Sequence, residues 1–221
     1  MSLVVKICGL ATPEALDAAL DAGADMVGFV FFPPSPRNLS FKGAAALESR
    51  VRGKAKKVAL TVDADDTLLS YVVDALGPDI LQLHGDESPL RVAAIKARFK
   101  LPVMKAIAVE TKADFSAIVR YAAVADHLLF DARAPREATR PGGLGKSFDW
   151  HLLEGLAADA PFMLSGGLNA GNIAEALRIT RAPGVDVSSG VERASGEKDP
   201  EKIRAFVRAA RHATHPIASP A

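Results

Sequence analysis

At 221 residues the chain is long enough to bury one sizeable core and to form one barrel of the size that begins at about 200 residues. Its 27 Lys plus Arg nearly balance 26 Asp plus Glu, which excludes a broad phosphate-backbone footprint and argues against nucleic acid as a partner. A hydrophobic content of 49% excludes a disordered chain, and the single cysteine, Cys8, excludes an intrachain disulfide and a Cys-rich zinc cluster.

A lone thiol suits a reducing compartment. Residues 1–9 carry no basic segment followed by a long apolar stretch, so no secretory signal is read. The longest apolar runs are strand-sized, far short of the roughly 20 residues of a membrane span. A soluble cytoplasmic protein with no membrane partner is expected.

In chain order, short β-rich runs alternate with helical ones. Strands are expected at 4–7, 26–31, 58–62, 80–83, 103–107, 127–130, 162–164 and 185–187. They are followed by helices at about 13–22, 42–51, 67–76, 89–99 and 113–123, one opening at Phe148 or Asp149, and then 171–179 and 200–211. Thr12-Pro13, Ser88-Pro89 and Asp199-Pro200 each place a capping residue before a proline at the first helical position. No linker divides the chain, so residues 1–221 are read as one domain, with 212–221 a frayed tail.

Continuous apolar strands between amphipathic helices indicate a parallel sheet covered by helices. Eight such units in this length point to a closed (βα)8 TIM barrel of the α/β class. An open doubly wound sheet is the alternative, but it normally has fewer strands at this length and often a glycine-rich loop after the first. Here that strand ends in Ile7-Cys8-Gly9-Leu10, with no G-x-G-x-x-G.

In such barrels the site forms at the carboxyl ends of the strands. That rule selects Cys8 and Gly9, Arg37 and Asn38, Asp63 and Asp65, His84 and Asp86, Asp131, Ser165 to Gly167, and Asp186 to Gly190. Ser165-Gly166-Gly167-Leu168-Asn169 after strand seven and Ser188-Ser189-Gly190-Val191 after strand eight are where barrels recurrently bind phosphate. Glycines let backbone N–H groups approach the phosphate oxygens, and a helix N-terminus favours the negative charge.

A lone rim cysteine reads equally as a small buried hydrophobe. Lys6, two residues earlier on the same strand face, would favour the thiolate, the form able to take a proton. Asp131 either caps a loop or does acid–base work at the rim. His84 is as readily a satisfied rim histidine as a catalytic one. Asp63 and Asp65 read as a solvated loop. No Asp/His/Glu cluster has metal-ligand spacing, so a metal site is not supported.

These residues fall into motifs of a known family. Lys6-Ile7-Cys8-Gly9-Leu10, Gly28-Phe29-Val30-Phe31, Ser35-Pro36-Arg37 and Leu81-Gln82-Leu83-His84-Gly85 resemble those of phosphoribosylanthranilate isomerase. So do Asp131, Gly142-Gly143-Leu144-Gly145 with Phe148-Asp149-Trp150, Leu164-Ser165-Gly166-Gly167-Leu168 and Val185-Asp186-Val187-Ser188-Ser189-Gly190-Val191-Glu192. The resemblance runs from about residue 3 to residue 210, with the motifs in order.

It implies a (βα)8 barrel that catalyses the Amadori rearrangement of N-(5-phosphoribosyl)anthranilate in tryptophan biosynthesis, without metal or cofactor. It implies Cys8 as general base, Asp131 as general acid and Arg37 on the anthranilate carboxylate. Gly166, Gly167, Asp186, Ser189 and Gly190 complete the substrate-binding set. The partner implied is a small phosphorylated molecule, and the chain is expected to be a monomer or a weak homodimer. One segment departs from the family pattern: the 132–146 loop carries Arg133, Arg136 and Arg140, and Leu144 stands where a small polar residue is common. It is read as a mobile lid.

Three alternatives compete. A sugar-phosphate epimerase would need a metal-type His/Asp set. An indoleglycerol-phosphate synthase would need a Lys/Glu set, for which Lys6 and Lys105 are candidates. A non-catalytic phosphate-binding barrel would not need both Cys8 and Asp131 at the rim.

Overall fold

Eight parallel strands pair in sequence order and close on themselves in the computed structural model, which describes residues 2–135, 137–154, 156 and 161–214. They are β1 (Val4–Cys8), β2 (Met26–Phe31), β3 (Lys56–Thr61), β4 (Ile80–Leu83), β5 (Val103–Val109), β6 (His127–Ala132), β7 (Phe162–Leu164) and β8 (Gly184–Val187). The barrel is sealed where β8 lies beside β1, Lys6 opposite Asp186 and Ile7 opposite Val187. The closed barrel is the fold expected from the eight-unit pattern, not the open sheet.

Strand alternation sorts the residues into two cores. Met26, Val58, Ile80, Met104, Ala106, Leu129 and Met163 fill the lumen, with Val4 packed against them. Their neighbours along the strands, such as Val5, Ile7, Phe29, Leu81 and Leu128, face the surrounding helices in one continuous cluster. Above the apolar layer the lumen becomes polar: Lys6, Gln82, Ser165 and Asp186 are all buried. Cys8, Val30 and Leu60 form a small apolar group at the mouth.

The helices are α1 (Pro13–Asp21), α2 (Phe41–Val51), α3 (Asp66–Leu76), α4 (Pro89–Phe99), α5 (Ser116–Ala122), α6 (Ile173–Thr180) and α7 (Pro200–Thr214). Thr12 and Ser88 cap α1 and α4 ahead of their prolines, as expected. Asp199 likewise accepts from the backbone N–H of Glu201 at the head of α7.

Four expectations need correction. The helix expected after β6 is a single 3-10 turn, Trp150–Leu153. Asp149 caps it, but Glu154 is already back in extended backbone at φ −61° and ψ 123°, so the turn cannot propagate. Residues 155 and 157–160, where the helix would have run on, lie outside the described residues. The helix expected at 113–123 opens instead as a 3-10 turn, Lys112–Phe115, before α5. There the Asp114 carboxylate accepts from the backbone N–H groups of Glu110 and Thr111 and tightens the entry. Residues 212–214, assigned to a frayed tail, belong to α7, whereas 215–221 lie outside the described residues, as does Arg136. Asp65, read as part of a solvated loop, is the N-cap of α3, its carboxylate accepting from the Leu68 N–H at 2.7 Å.

After β8 the chain makes a 3-10 turn, Ser189–Val191, and a small antiparallel ribbon of β9 (Glu192–Ala194) and β10 (Glu197–Lys198) before α7. This ribbon sits at the rim and enters the site.

Candidate active site

One cavity at the carboxyl end of the barrel is lined by Cys8, Arg37, His84, Asp131, Gly166, Gly167, Asp186 and Ser189 among others. Cys8 ends β1 and is buried. Beneath it Lys6 is wholly buried, its Nζ 2.8 Å from Asp186 Oδ1. Burial opposes the Lys6 charge, but the Asp186 carboxylate, with help from Cys8, outweighs it and holds Lys6 above its ordinary value.

The expected push of Lys6 on the thiol is therefore not what decides its state. Burial pushes the Cys8 thiol up, and the pull of Lys6 downward is opposed by Asp186, which neutralises that ammonium. A thiol held above its ordinary value has to lose its proton before it can act as a base.

Asp131, in β6, is buried across the mouth and has one oxygen toward the Ala132 N–H at 2.9 Å. Its other oxygen, Oδ2, lies 3.2 Å from His84 Nε2. Behind His84 the Gln82 amide Nε2 stands 3.0 Å from Nδ1. With Gln82 donating there, neutral His84 carries its proton on Nε2 and donates it to Asp131. His84 is thus a partner of the aspartate, which spacing alone left undecided.

Arg37 lies in the loop after β2 and is buried. Glu192 grips it in two places: Nε donates to Oε1 at 2.6 Å and Nη2 to Oε2 at 2.8 Å. Nη2 also donates to the Gly143 carbonyl at 3.1 Å, so the 132–146 loop rests directly on this guanidinium. The same loop covers Asp131: a methyl on Gly142 would stand 2.6 Å from Asp131 Oδ2 and 2.9 Å from His84 Nε2. With the loop in this position the cavity holds about 70 Å³ of water-accessible space, room for a few waters.

The two Ser/Gly loops lie side by side. Gly166 and Gly167 both have positive φ, 88° and 66°, conformations a residue with Cβ rarely adopts, and a Cβ on Gly166 would come 2.8 Å from the Ala132 N. Asn172 closes the loop from below, accepting from the Asn169 N–H and donating to the Gly167 carbonyl. Within the implied catalytic and substrate-binding set Gly190 alone does not line the cavity, and of the other rim candidates Gly9, Asn38, Asp63, Asp65 and Asp86 do not line it either. Gly190 is pressed against the Leu168 carbonyl, and any side chain there would collide with that oxygen. Its smallness lets the β7 and β8 loops meet.

Lys105, a candidate for a Lys/Glu catalytic set, points out of the barrel. Its ammonium is held by Glu87 Oε2 at 3.0 Å and by the carbonyls of Leu83 and Gly85, with the Tyr121 ring 5.5 Å away. Lys6 is in the lumen but committed to Asp186, so the synthase-type pair is not assembled.

The sequence reading did not single out Glu192, Lys198 and Gln82. Glu192 is 155 positions from the arginine it grips, and no local signal links them. Among the described residues no group of His, Cys, Asp or Glu has the geometry to hold a metal ion, and no helix is long and apolar enough to cross a membrane.

Comparison with known proteins bears on the same residues. The family model described as N-(5'-phosphoribosyl)anthranilate (PRA) isomerase matches residues 5–209. The N-(5'-phosphoribosyl)anthranilate isomerase of Bradyrhizobium sp. (strain ORS 278) is 65% identical over 213 residues, 96% of this chain and 97% of that protein. The crystal structure of phosphoribosyl anthranilate isomerase from Thermotoga maritima superposes with a TM-score of 0.84 at 32% identity, covering 95% of this chain and 98% of that one. A phosphoribosyl anthranilate isomerase solved in complex with reduced 1-(o-carboxyphenylamino)-1-deoxyribulose 5-phosphate superposes with a TM-score of 0.81 at 30% identity, covering 95% and 98%. A barrel with a thiol and a carboxylate at its mouth, matched by the family model from its first strand to its last helix, belongs to the N-(5'-phosphoribosyl)anthranilate isomerase family.

Proposed function

We propose that this chain, as a single barrel domain, converts N-(5-phosphoribosyl)anthranilate to 1-(2-carboxyphenylamino)-1-deoxyribulose 5-phosphate in tryptophan biosynthesis, with Cys8 and Asp131 as its acid–base pair. The observation that carries the assignment of roles is the single cavity lined by Cys8, Arg37, Asp131 and the two Ser/Gly loops.

Asp131 gives a proton to the furanose ring oxygen, and the ring C–O bond opens to a Schiff base at C1′. Cys8 gives its own proton to solvent and, as thiolate, takes the proton from C2′, and the electron pair moves to form an enolamine. The enolamine gains a proton at C1′ and loses one from the C2′ hydroxyl, giving the ketone. Cys8 is left as the thiol it began as, and Asp131 recovers from solvent the proton it gave up, which restores both groups. The net change is an isomerisation, so no electron donor or acceptor is consumed. His84, bonded to Asp131 Oδ2, orients that carboxyl.

Arg37 holds the anthranilate carboxylate, for which a planar guanidinium is suited. Gly166, Gly167 and Ser189 offer backbone amides to the phosphate, with Gly190 fixing the approach of their loops and Asp186 anchoring Lys6 below. The ligand is a small phosphorylated molecule, in keeping with the one co-crystallised with the related enzyme. Charge balance and the lack of a membrane-length apolar helix among the described residues support a cytoplasmic enzyme that uses neither nucleic acid nor membrane, working as a monomer or a weak homodimer.

The test is loss of anthranilate fluorescence with phosphoribosylanthranilate generated in situ. Turnover that scales with enzyme concentration supports the assignment. A protein that binds the substrate without converting it would overturn it in favour of a binding barrel.

A further inference from the structure

Arg37, Glu192 and Lys198 form one closed cluster at the rim. Glu192 Oε1 accepts from Arg37 Nε at 2.6 Å and from Lys198 Nζ at 2.7 Å. Its Oε2 accepts from Arg37 Nη2 at 2.8 Å and from the Gly196 N–H at 3.2 Å. Lys198 also donates to the Ser188 carbonyl at 2.8 Å and lies 3.1 Å from the Ser188 hydroxyl, which donates to the Cys8 carbonyl. The carboxylate is saturated by four donors. Within this cluster the Nη1 end of the guanidinium is left without a hydrogen bond from any described residue.

Two positive groups share one negative one, so the cluster carries one net positive charge. Without Lys198, Arg37 and Glu192 would cancel, and a neutral pair is a poor receptor for an anion. We propose that Lys198 is a positioning residue for the substrate carboxylate: acting through Glu192, it fixes Arg37 with Nη1 free and leaves the cluster one net positive charge. This rests on Arg37 as the carboxylate-binding group.

Burial lowers Lys198 to about 8, only partly offset by Glu192, while Arg37 lowers it further and Cys8 raises it. The other charges packed around the cluster are Lys202 of α7, which donates to the Glu192 backbone carbonyl, and the Lys6–Asp186 pair below Cys8. Lys198 is charged below its pKa and neutral above it. Carboxylate binding should therefore weaken as pH rises through about 8.

The experiment is kcat and KM for the wild type, Lys198→Met, Lys198→Arg and Arg37→Ala from about pH 6 to 9.5, with a thermal melt of each. Lys198→Met should raise KM on the order of tenfold with kcat nearly unchanged. Its KM should be flat where that of the wild type climbs. Lys198→Arg should restore a low KM and remove the inflection, because a guanidinium keeps its proton throughout. A wild-type KM in Lys198→Met, or an unmoved inflection in Lys198→Arg, overturns the proposal. The second comparison decides even if the methionine variant fails to fold. If Arg37→Ala leaves KM unchanged, the reading of Arg37 itself falls. If Arg37→Ala raises KM and Lys198→Met does not, the role of Lys198 alone falls.

Discussion

In the mechanism proposed above, the chemistry depends on Cys8 and Asp131. Cys8→Ser removes the only group able to become an anion at that position, and Asp131→Asn removes the acidic proton while keeping the shape. Each change should lower kcat by at least about 10²-fold. Both side chains stand at the mouth rather than in the packed core, so melting temperatures should stay close to wild type. Kinetics and melts measured on the same preparations check this, and activity that falls only in step with the melting temperature would make the residue structural. Cys8, Arg37, Asp131 and the Gly166-Gly167 turn were legible as cavity residues because each lies at the end of a strand or in the loop after one, where the barrel places its chemistry. The partners were not: Glu192 reaches Arg37 across 155 positions, and Asp186 reaches Lys6 across 180. Only closure of the barrel makes them neighbours, and it is also what cancels the effect of Lys6 on the thiol.

At the scale of elements, the strands and most helices were readable because apolar runs and caps are local. The turn after β6 was not, since the loop that precedes it is held by contacts with Arg37, Asp131 and His84 rather than by its own periodicity. Asp65 separates capping from catalysis. Asp65→Ala should destabilise the protein by about 1 kcal/mol, a shift of roughly 2–4 °C in a protein this size, with kcat unchanged. A differential melt with parallel kinetics tests it, and a large loss of activity would return Asp65 to the site. The β9–β10 ribbon is held by a carboxylate. Burial would raise Glu192, but the hydrogen bonds and charges of Arg37 and Lys198 outweigh it and hold it below the ordinary 4.5. A carboxylate depressed in the folded state stabilises fully above its unfolded value and loses that contribution as pH falls through the folded one. The difference in stability between wild type and Glu192→Gln should therefore shrink as pH falls below about 4.5. Urea titrations at several pH values measure it, and a difference that grows in acid would contradict the sign.

For the molecule as a whole, the reaction is assembled from side chains and backbone amides on separate strands. Activity should survive exhaustive chelation, because no group of candidate ligands among the described residues converges on a point. Turnover before and after EDTA tests this, and activity lost and then restored by a divalent ion would require a different mechanism. The barrel closes by pairing β1 with β8, and that seam carries a consequence for how the enzyme comes into being. The thiol lies on one side of it, and the Asp186 strand, the Ser188-Ser189 loop and the Lys198 ribbon lie on the other. The two sides are 180 positions apart in the chain, so the pocket that gives the thiol a purpose cannot exist until both have been made and paired. Until then the lumen has an open edge and the nascent protein is catalytically silent. A chain interrupted before β8 therefore lacks the pocket altogether rather than having a weaker one.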